Sequence, residues 1–225
     1  MRKAEASVLS GILLMALCGL AYSFIRPAAK SEPIVHSEPE LAIHASDLLA
    51  NRYDFLGDVA APYTLIEFGG YECPPCRGAR TQVKELLSKY KGKLKLDFRN
   101  LPLPQLHSNA MYSAIAAEAA RDQHRFWAVH TSLYETVLSD PAIDSIVNAK
   151  LNVKSLSNLQ MVRARKAVET DRQIAAKLEL DSTPSFLLAC PDGKLYRLNE
   201  LESVSHFIKQ LPADGRIEAN SPSHP

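Results

Sequence analysis

Two cysteines separated by two prolines are the residues of this sequence best suited to chemistry. Cys73-Pro74-Pro75-Cys76 follows an apolar run at residues 65–68 and a glycine pair, and it precedes an amphipathic segment. This pattern predicts a strand, a tight turn and a helix, with Cys73 at the helix N-terminus. Proline is tolerated in a first helical turn because the N–H that it lacks would have no partner there. Unpaired backbone N–H groups and the helix dipole favour a thiolate at that position, so the sequence predicts that Cys73 is a nucleophile.

The elements that must hold this motif follow from the pattern on either side of it. Residues 63–68 are predicted to form a first central strand, residues 75–90 the helix that begins at the motif, and residues 94–99 a second strand. A strand, a helix and a strand in this order predict a parallel pair of strands with a right-handed crossover. The remaining predicted elements are helices within 108–177, strands at 185–190 and 194–198 that pair as a hairpin, a closing helix at 200–211 and a frayed tail at 212–225.

Three features around the motif resemble the DsbA-like branch of the thioredoxin superfamily, which contains extracytoplasmic thiol:disulfide oxidoreductases. Glu67 lies six residues before Cys73, where that family keeps a buried carboxylate beneath the disulfide. Residues 98–103, followed by His107 and an alanine-rich helix, resemble the entry into the family's inserted helical domain. Residues 181–188 resemble the loop that carries the family's cis-proline.

This resemblance covers residues 55–211 and implies an α/β, thioredoxin-like fold with an inserted α-helical domain at about 104–178. The stretch between the second strand and Pro184 is much longer than a minimal thioredoxin connection, which an inserted helical domain would explain.

Thiol–disulfide exchange assigns different roles to the two cysteines, because one thiolate attacks a disulfide and a second thiol resolves the mixed disulfide. Two intervening residues bring both sulfurs to one end of the helix, with Cys73 outward as the attacking residue and Cys76 inward as the resolving one. Cys76 needs a base, and Glu67 can serve if burial raises its affinity for a proton. An exposed strand carboxylate with no role is the alternative for Glu67. The resemblance implies that Pro184 is cis and lies beside Cys73, that Thr183 offers its backbone to an extended substrate, and that the site needs no cofactor or metal.

The sequence departs from the best-known DsbA-like oxidases between its cysteines, where those proteins carry Pro-His. Pro75 cannot donate a backbone hydrogen bond and brings no positive charge. Fewer donors leave the Cys73 thiolate less stabilised, so we predict a couple less oxidising than theirs, at roughly −150 to −250 mV.

Composition limits the remaining possibilities. The chain has 225 residues, 46% of them hydrophobic, which suits one core or a core with an inserted subdomain. A formal charge of +1 gives no reason to expect a nucleic-acid partner. The four cysteines are too few for a dense disulfide framework. Cys190 is predicted to be a free buried thiol at a strand end, with a regulatory or intermolecular thiol as the alternative.

The N-terminus has the layout of a targeting segment. Arg2 and Lys3 precede an uncharged run at residues 6–25. We predict that residues 1–26 are a signal anchor, with a cleaved signal peptide as the alternative, and that the catalytic part lies in the periplasm or at the extracytoplasmic face of the inner membrane. Residues 27–54 are predicted to be a linker with a short helix, for which a dimerisation segment is the alternative.

Three classes of protein remain open. The favoured class is an extracytoplasmic oxidoreductase that forms, reduces or rearranges disulfides in exported proteins, with oxidation favoured over reduction or isomerisation. A non-catalytic binding or chaperone domain with the same fold is the second class. A structural zinc site is disfavoured, because four ligands are needed and neither His107 nor His124 has suitable spacing to the cysteines. The expected partners are exported proteins with thiols or disulfides and a membrane redox partner.

Overall fold

A five-stranded mixed sheet forms the centre of the protein. The computed structural model describes residues 43–50 and 53–210. The strands are β1 (Leu56–Gly57), β2 (Tyr63–Gly69), β3 (Leu94–Asn100), β4 (Ser185–Ala189) and β5 (Leu195–Leu198). They are arranged in the order β1-β3-β2-β4-β5. The β2–β3 pair is parallel and the other three pairs are antiparallel.

The helices of the described residues lie on both sides of this sheet and between β3 and β4. They are α1 (Ala45–Leu49), α2 (Pro74–Lys89), α3 (Ala110–Ala119), a 3-10 turn (Arg121–Gln123), α4 (Phe126–Glu135), α5 (Asp140–Leu151), α6 (Asn158–Lys177) and α7 (Ser203–Gln210). None of these helices is long and apolar enough to cross a bilayer.

The β2–α2–β3 unit places the cysteine motif at the C-terminal end of the central strand β2. Pro74 and Pro75 occupy the first helical positions, where their missing N–H groups cost nothing. The helix ends near Gly92, whose φ of 77° favours glycine. The chain then turns back so that β3 runs parallel to β2, with Tyr63 opposite Leu94. The parallel pair predicted from the sequence is therefore confirmed.

The two faces of the sheet pack against different helices, because successive side chains of a strand point to opposite faces. Leu65 and Leu96 lie in a core that also contains residues of α2 and α7. Ile66 and Phe68 lie in a second core that contains residues of α1 and α6. Leu48 of α1 is part of this second core, so the short helix predicted near residues 41–51 packs against its own chain.

Helices α3 to α6 form the insertion between β3 and β4, which confirms a thioredoxin-like fold with an inserted helical domain. The start of the insertion is hydrogen-bonded to Glu72, the residue before Cys73. The backbone N–H and the side-chain amide of Asn109 both donate to the Glu72 carboxylate, at 2.7 and 2.9 Å. Helix α3 therefore begins after Asn109, at Ala110, rather than at Ser108 as the sequence predicted.

A buried group of charges pins α6 against β3. The Arg99 guanidinium lies 3.0 Å from Asp97 Oδ2 and 3.1 Å from Asp171 Oδ1. It also donates to the Leu48 carbonyl of α1. Buried charges are tolerated only when they are paired in this way, so Arg99 fixes how α1 and α6 cover the sheet.

Other differences from the prediction lie mostly at the ends of elements. Strand β1 was not predicted, and it pairs antiparallel with β3 through Leu56 and Leu96. The closing helix begins at Ser203 rather than at residue 200. The predicted targeting segment at 1–26, most of the linker and the tail at 212–225 lie outside the described residues.

Candidate active site

Cys73 and Cys76 lie at the N-terminus of α2. Cys73 is the N-cap, with φ −73° and ψ 116°, and its carbonyl accepts the Arg77 N–H at 3.1 Å. Both thiols are free. Cys73 is 5% exposed and Cys76 is fully buried. The inward position predicted for Cys76 is present, whereas Cys73 is more enclosed than the predicted outward position implied.

The loop before β4 brings a carbonyl against Cys73. The Thr183–Pro184 peptide bond is cis. The Cys73 thiol donates a hydrogen bond to the Thr183 carbonyl oxygen, with Sγ and O 3.2 Å apart. This contact is possible because β4 starts at Ser185, which pairs with Phe68 near the end of β2. The structure therefore brings Cys73, Thr183 and Pro184 together, as the resemblance implied.

Glu67 is a buried carboxyl group beneath the motif. Its side chain extends from β2, and the residue is 3% exposed. Burial raises the pKa of Glu67 to about 8, and the positive charge of Arg80 opposes this rise. A carboxyl group with this pKa exchanges a proton close to neutral pH, which an exposed glutamate does not do. The alternative prediction, an exposed Glu67 carboxylate, is therefore wrong, because the side chain is buried.

Cys76 lies in the electrostatic field of Glu67. Burial raises the pKa of the Cys76 thiol, and a hydrogen bond with the Gly70 backbone opposes this rise. The neighbouring Cys73 and Glu67 raise the Cys76 pKa further. A Cys76 thiolate is thus costly in this site. Its formation needs a nearby group that takes the proton, and its discharge needs a nearby group that gives one.

A histidine that was not predicted lies behind the motif, within a cluster of aromatic rings. His130 Nδ1 is 3.2 Å from the Tyr71 hydroxyl, and Tyr71 is two residues before Cys73. The ring centroids of Phe98, Trp127 and Tyr134 lie within 5.0 Å of the His130 centroid. Burial lowers the His130 pKa well below its ordinary value, and nearby arginine and lysine charges lower it further. The available sequence signal was the four-residue spacing of Phe126, His130 and Tyr134, which places them on one face of α4.

Helix α4 is also joined directly to the helix that carries the motif. Arg77 Nη1 donates to the Tyr134 carbonyl. The Arg80 guanidinium lies 5.0 Å from the centroid of the Tyr134 ring and 3.6 Å from Glu135 Oε1. These contacts fix the insertion against α2 at the end that holds the cysteines.

The other candidate residues lie elsewhere. Cys190 is a free thiol at the end of β4, as predicted, and burial raises its pKa to about 12. His124 ends the 3-10 turn with φ 55°, and its ring meets Tyr53 edge-on at 5.8 Å. The described part of the chain contains no group of three or more histidine, cysteine or acidic side chains able to hold a metal ion.

Comparison with solved structures gives the same architecture. A thioredoxin-like oxidoreductase from Silicibacter pomeroyi DSS-3 is 25% identical, with a TM-score of 0.54 over 69% of this chain and 89% of that one. The thiol-disulfide exchange protein alpha-DsbA2 from Wolbachia pipientis is 18% identical, with a TM-score of 0.57 over 73% of this chain and 89% of that one. These similarities confirm the DsbA-like fold.

Comparison with curated proteins and family models covers different shares of the chain. The Na(+)/H(+) antiporter NhaA 1 of Salinispora arenicola (strain CNS-205) is 43% identical over 77 residues. That match covers 34% of this chain and only 12% of the antiporter, so the chain spans a small part of that relative's length. The family model Thioredoxin_4, described as thioredoxin, matches residues 51–210. Because this match covers most of the sequence, the chain belongs to the thioredoxin family.

Proposed function

We propose that this protein is a thiol:disulfide oxidoreductase that acts on exported proteins through Cys73 and Cys76, with oxidation as the favoured direction. The observation that carries the proposal is the contact between the Cys73 thiol and the Thr183 carbonyl at the cis-proline loop. It places the more accessible sulfur of a dithiol beside a backbone edge that an extended polypeptide can pair with.

In the oxidising direction, the Cys73–Cys76 disulfide is the oxidant. A substrate thiolate attacks Cys73 Sγ, a bond forms between the two chains, and the Cys73–Cys76 bond breaks. Cys76 leaves with the electron pair of that bond. A second substrate thiolate then attacks the substrate sulfur of the mixed disulfide and releases Cys73 as a thiolate. The substrate has lost two electrons, and the protein is left with the two free cysteines seen in the structure.

Glu67 donates a proton to the buried Cys76 and removes it again. When Cys76 leaves as a thiolate, the protonated Glu67 carboxyl can donate a proton to it. In the reverse direction, the Glu67 carboxylate removes the proton from Cys76, and the thiolate then attacks Cys73 in the mixed disulfide. A pKa of about 8 suits both directions near neutral pH.

This chemistry requires a site for the substrate chain and a partner that reoxidises the cysteines. Thr183 and Pro184 contact the substrate backbone beside Cys73, and residues 55–211 form the catalytic domain. A membrane redox partner restores the disulfide after each turnover. The proposed location is the periplasm or the extracytoplasmic face of the inner membrane, to which the charged and apolar pattern of residues 1–26 would direct the chain.

The test uses the oxidised full-length protein and a reduced dithiol peptide. Disulfide formation in the peptide is followed by acid quenching, alkylation and mass spectrometry. We expect Cys73→Ala to abolish transfer and Cys190→Ala, which removes the buried thiol outside the site, to leave it unchanged. Transfer at the wild-type rate by Cys73→Ala would overturn the proposal. The direction follows from the equilibrium with glutathione, because a donor of disulfides has a potential above that of the glutathione pool.

A further inference from the structure

Three buried side chains beneath the cysteine motif carry polar atoms that have no hydrogen-bond partner within residues 43–50 and 53–210. They are Glu67 through Oε1, Asn100 through both atoms of its amide, and Tyr134 through its hydroxyl. Asn100 is fully buried and Tyr134 is 1% exposed. Buried polar groups are almost always satisfied by protein or by ordered water, so two such groups on one face of the sheet and a third on the helix that covers it point to a bound polar ligand.

The pairing of β2 with β3 places Glu67 and Asn100 together. Gly69 is opposite Asn100, and Glu67 is opposite Phe98. Asn100 and Phe98 are two residues apart and share a face of the sheet, whereas Arg99 between them reaches Asp171 on the other face. A Cβ atom on Gly69 would lie 3.1 Å from Glu67 Oε1. The Glu67 carboxyl therefore bends over the glycine that is paired with Asn100.

Tyr134 reaches the same region from the insertion. Its ring centroid is 4.9 Å from that of Tyr71, and the two rings share a core cluster with Cys73 and Cys76. After burial, the charges of Glu67 and Cys76 are the largest causes that raise the Tyr134 pKa. The hydroxyl thus lies in the field of the same carboxyl and thiol.

The groups that act on Glu67 come from each element packed against it. Arg80 of α2 lowers the pKa of Glu67, and the Glu67 charge in turn raises the pKa values of Cys76 of α2, Tyr71 of the preceding turn and Tyr134 of α4. Arg80 is the only one among them with a positive charge, and its guanidinium lies against the Tyr134 ring. Arg80 stabilises the carboxylate from a distance, and a direct donor to Glu67 Oε1 is missing from the protein groups described.

We propose that Asn100 and Tyr134 hold an ordered water molecule that donates a hydrogen bond to the Glu67 carboxylate, which makes Asn100 a positioning residue for the proton transfer to Cys76. A buried water typically has about three partners, and the amide N–H, the Tyr134 oxygen and the carboxylate oxygen supply that number. The inference rests on the proposed role of Glu67 as the proton donor and acceptor for Cys76.

The water explains how an enclosed carboxyl group can change charge. When Glu67 gives its proton to the Cys76 thiolate, the new carboxylate gains a hydrogen bond from the water. When the carboxylate takes a proton from Cys76, the water turns to accept from the carboxyl O–H. Hydrogen bonds to the ionised form lower a carboxyl pKa, so loss of the water would raise the pKa of Glu67 further.

The test replaces the amide by an apolar group of similar shape, Asn100→Leu, in the reduced full-length protein. The titration of Glu67 is read directly from its carboxyl C=O infrared band, assigned by its loss in Glu67→Gln. We expect the titration midpoint of Glu67 to rise by about one pH unit in Asn100→Leu, a tenfold change in its proton affinity. Tyr134→Phe, which removes a single oxygen atom, should move the midpoint in the same direction.

The matched control is Tyr63→Phe. Tyr63 is also a buried tyrosine whose hydroxyl has no partner among the described residues, but it lies at the opposite end of β2, in the core beneath α2 and α7. We expect no change in the Glu67 midpoint for this variant. An unchanged midpoint in both Asn100→Leu and Tyr134→Phe would overturn the proposal. If Asn100→Leu does not fold, the Tyr134→Phe midpoint decides alone.

The infrared titration also separates this inference from the proposed function. It needs no substrate and no turnover, so it reports the water site even if Glu67 has no part in catalysis. A Glu67→Gln variant that transfers disulfides with the wild-type pH profile would refute the role of Glu67 as the proton carrier. The same result would say nothing about the water site, which the infrared titration of Asn100→Leu and Tyr134→Phe tests independently.

Discussion

Replacing Glu67 by glutamine should make the protein more stable, and the gain should grow with pH. The folded state holds the pKa of Glu67 at about 8, above its ordinary value of 4.5. Between these two values the unfolded chain has released the proton and the folded protein still binds it. Stability therefore falls as pH rises through this window, and it no longer changes on this account above pH 8.

The magnitude follows from the size of the pKa difference. Each unit of difference corresponds to about 1.4 kcal/mol, so the complete penalty above pH 8 is about 5 kcal/mol. Between pH 5.5 and pH 7.5, the free energy of unfolding of Glu67→Gln should increase relative to the wild type by about 2.5 kcal/mol. The carboxyl is buried, so screening by solvent does not reduce this figure as it would at a surface site.

The assay is urea unfolding of the reduced full-length protein at several pH values. Fluorescence of Trp127, the only tryptophan in the chain, reports unfolding, because this residue packs against His130 and Phe126. Groups shared by both proteins cancel in the difference between variant and wild type. The control is Glu85→Gln on the exposed side of α2, which should change stability by less than about 0.5 kcal/mol at every pH. A difference between Glu67→Gln and the wild type that does not vary with pH would refute the reasoning.

Three further predictions concern the cysteines and the turn that holds them. With a peptide that carries a disulfide, Cys76→Ser should accumulate a mixed disulfide, because the Cys73 thiolate breaks the peptide disulfide, one peptide thiolate leaves, and the resolving thiol is missing. Cys73→Ser should accumulate none, and mass spectrometry under non-reducing conditions distinguishes the two. Gly69→Ala should lower the free energy of unfolding by roughly 1–3 kcal/mol, because its Cβ would lie 2.8 Å from Phe98 Cε2. Gly78→Ala in α2 has nothing within 4 Å of the added Cβ and should raise stability by about 0.5–1 kcal/mol, so a reversed order in urea unfolding would count against the packing argument. The Cys73–Cys76 couple should equilibrate with glutathione at roughly −150 to −250 mV, and a value near −120 mV would contradict the reasoning about Pro75.

The parts of the site that could be predicted are those in which local sequence decides the structure. Cys73 and Cys76 share a helical turn, and the glycine pair and the prolines fix where that turn begins. Helix α6 begins with a capping box, in which Ser157 and Gln160 satisfy each other's backbone N–H groups, and this pattern is visible in the sequence. Such features need no knowledge of the rest of the chain.

The parts that were missed depend on pairing between distant segments. His130 looks like an ordinary residue of an apolar helix until α4 is packed behind Tyr71, which lies 59 positions earlier in the chain. Asn100 ends a strand like many other polar residues, and only the register with β2 places it opposite Gly69. The start of α3 was misplaced because Asn109 is held by Glu72, a contact that no local pattern indicates.

The insertion controls the medium around Glu67. A carboxyl group on a sheet has a pKa near 8 only where bulk water is excluded, and the Tyr134 ring of α4 closes this face of the sheet together with Tyr71 and Phe98. The same helix is joined to the cysteine helix through the hydrogen bond from Arg77 to Tyr134. A movement of α4 would therefore admit water to Glu67 and lower its pKa without any change in the cysteines. Under the proposed role of Glu67 as proton carrier, the inserted helices would help to set the pH range in which Cys76 exchanges its proton.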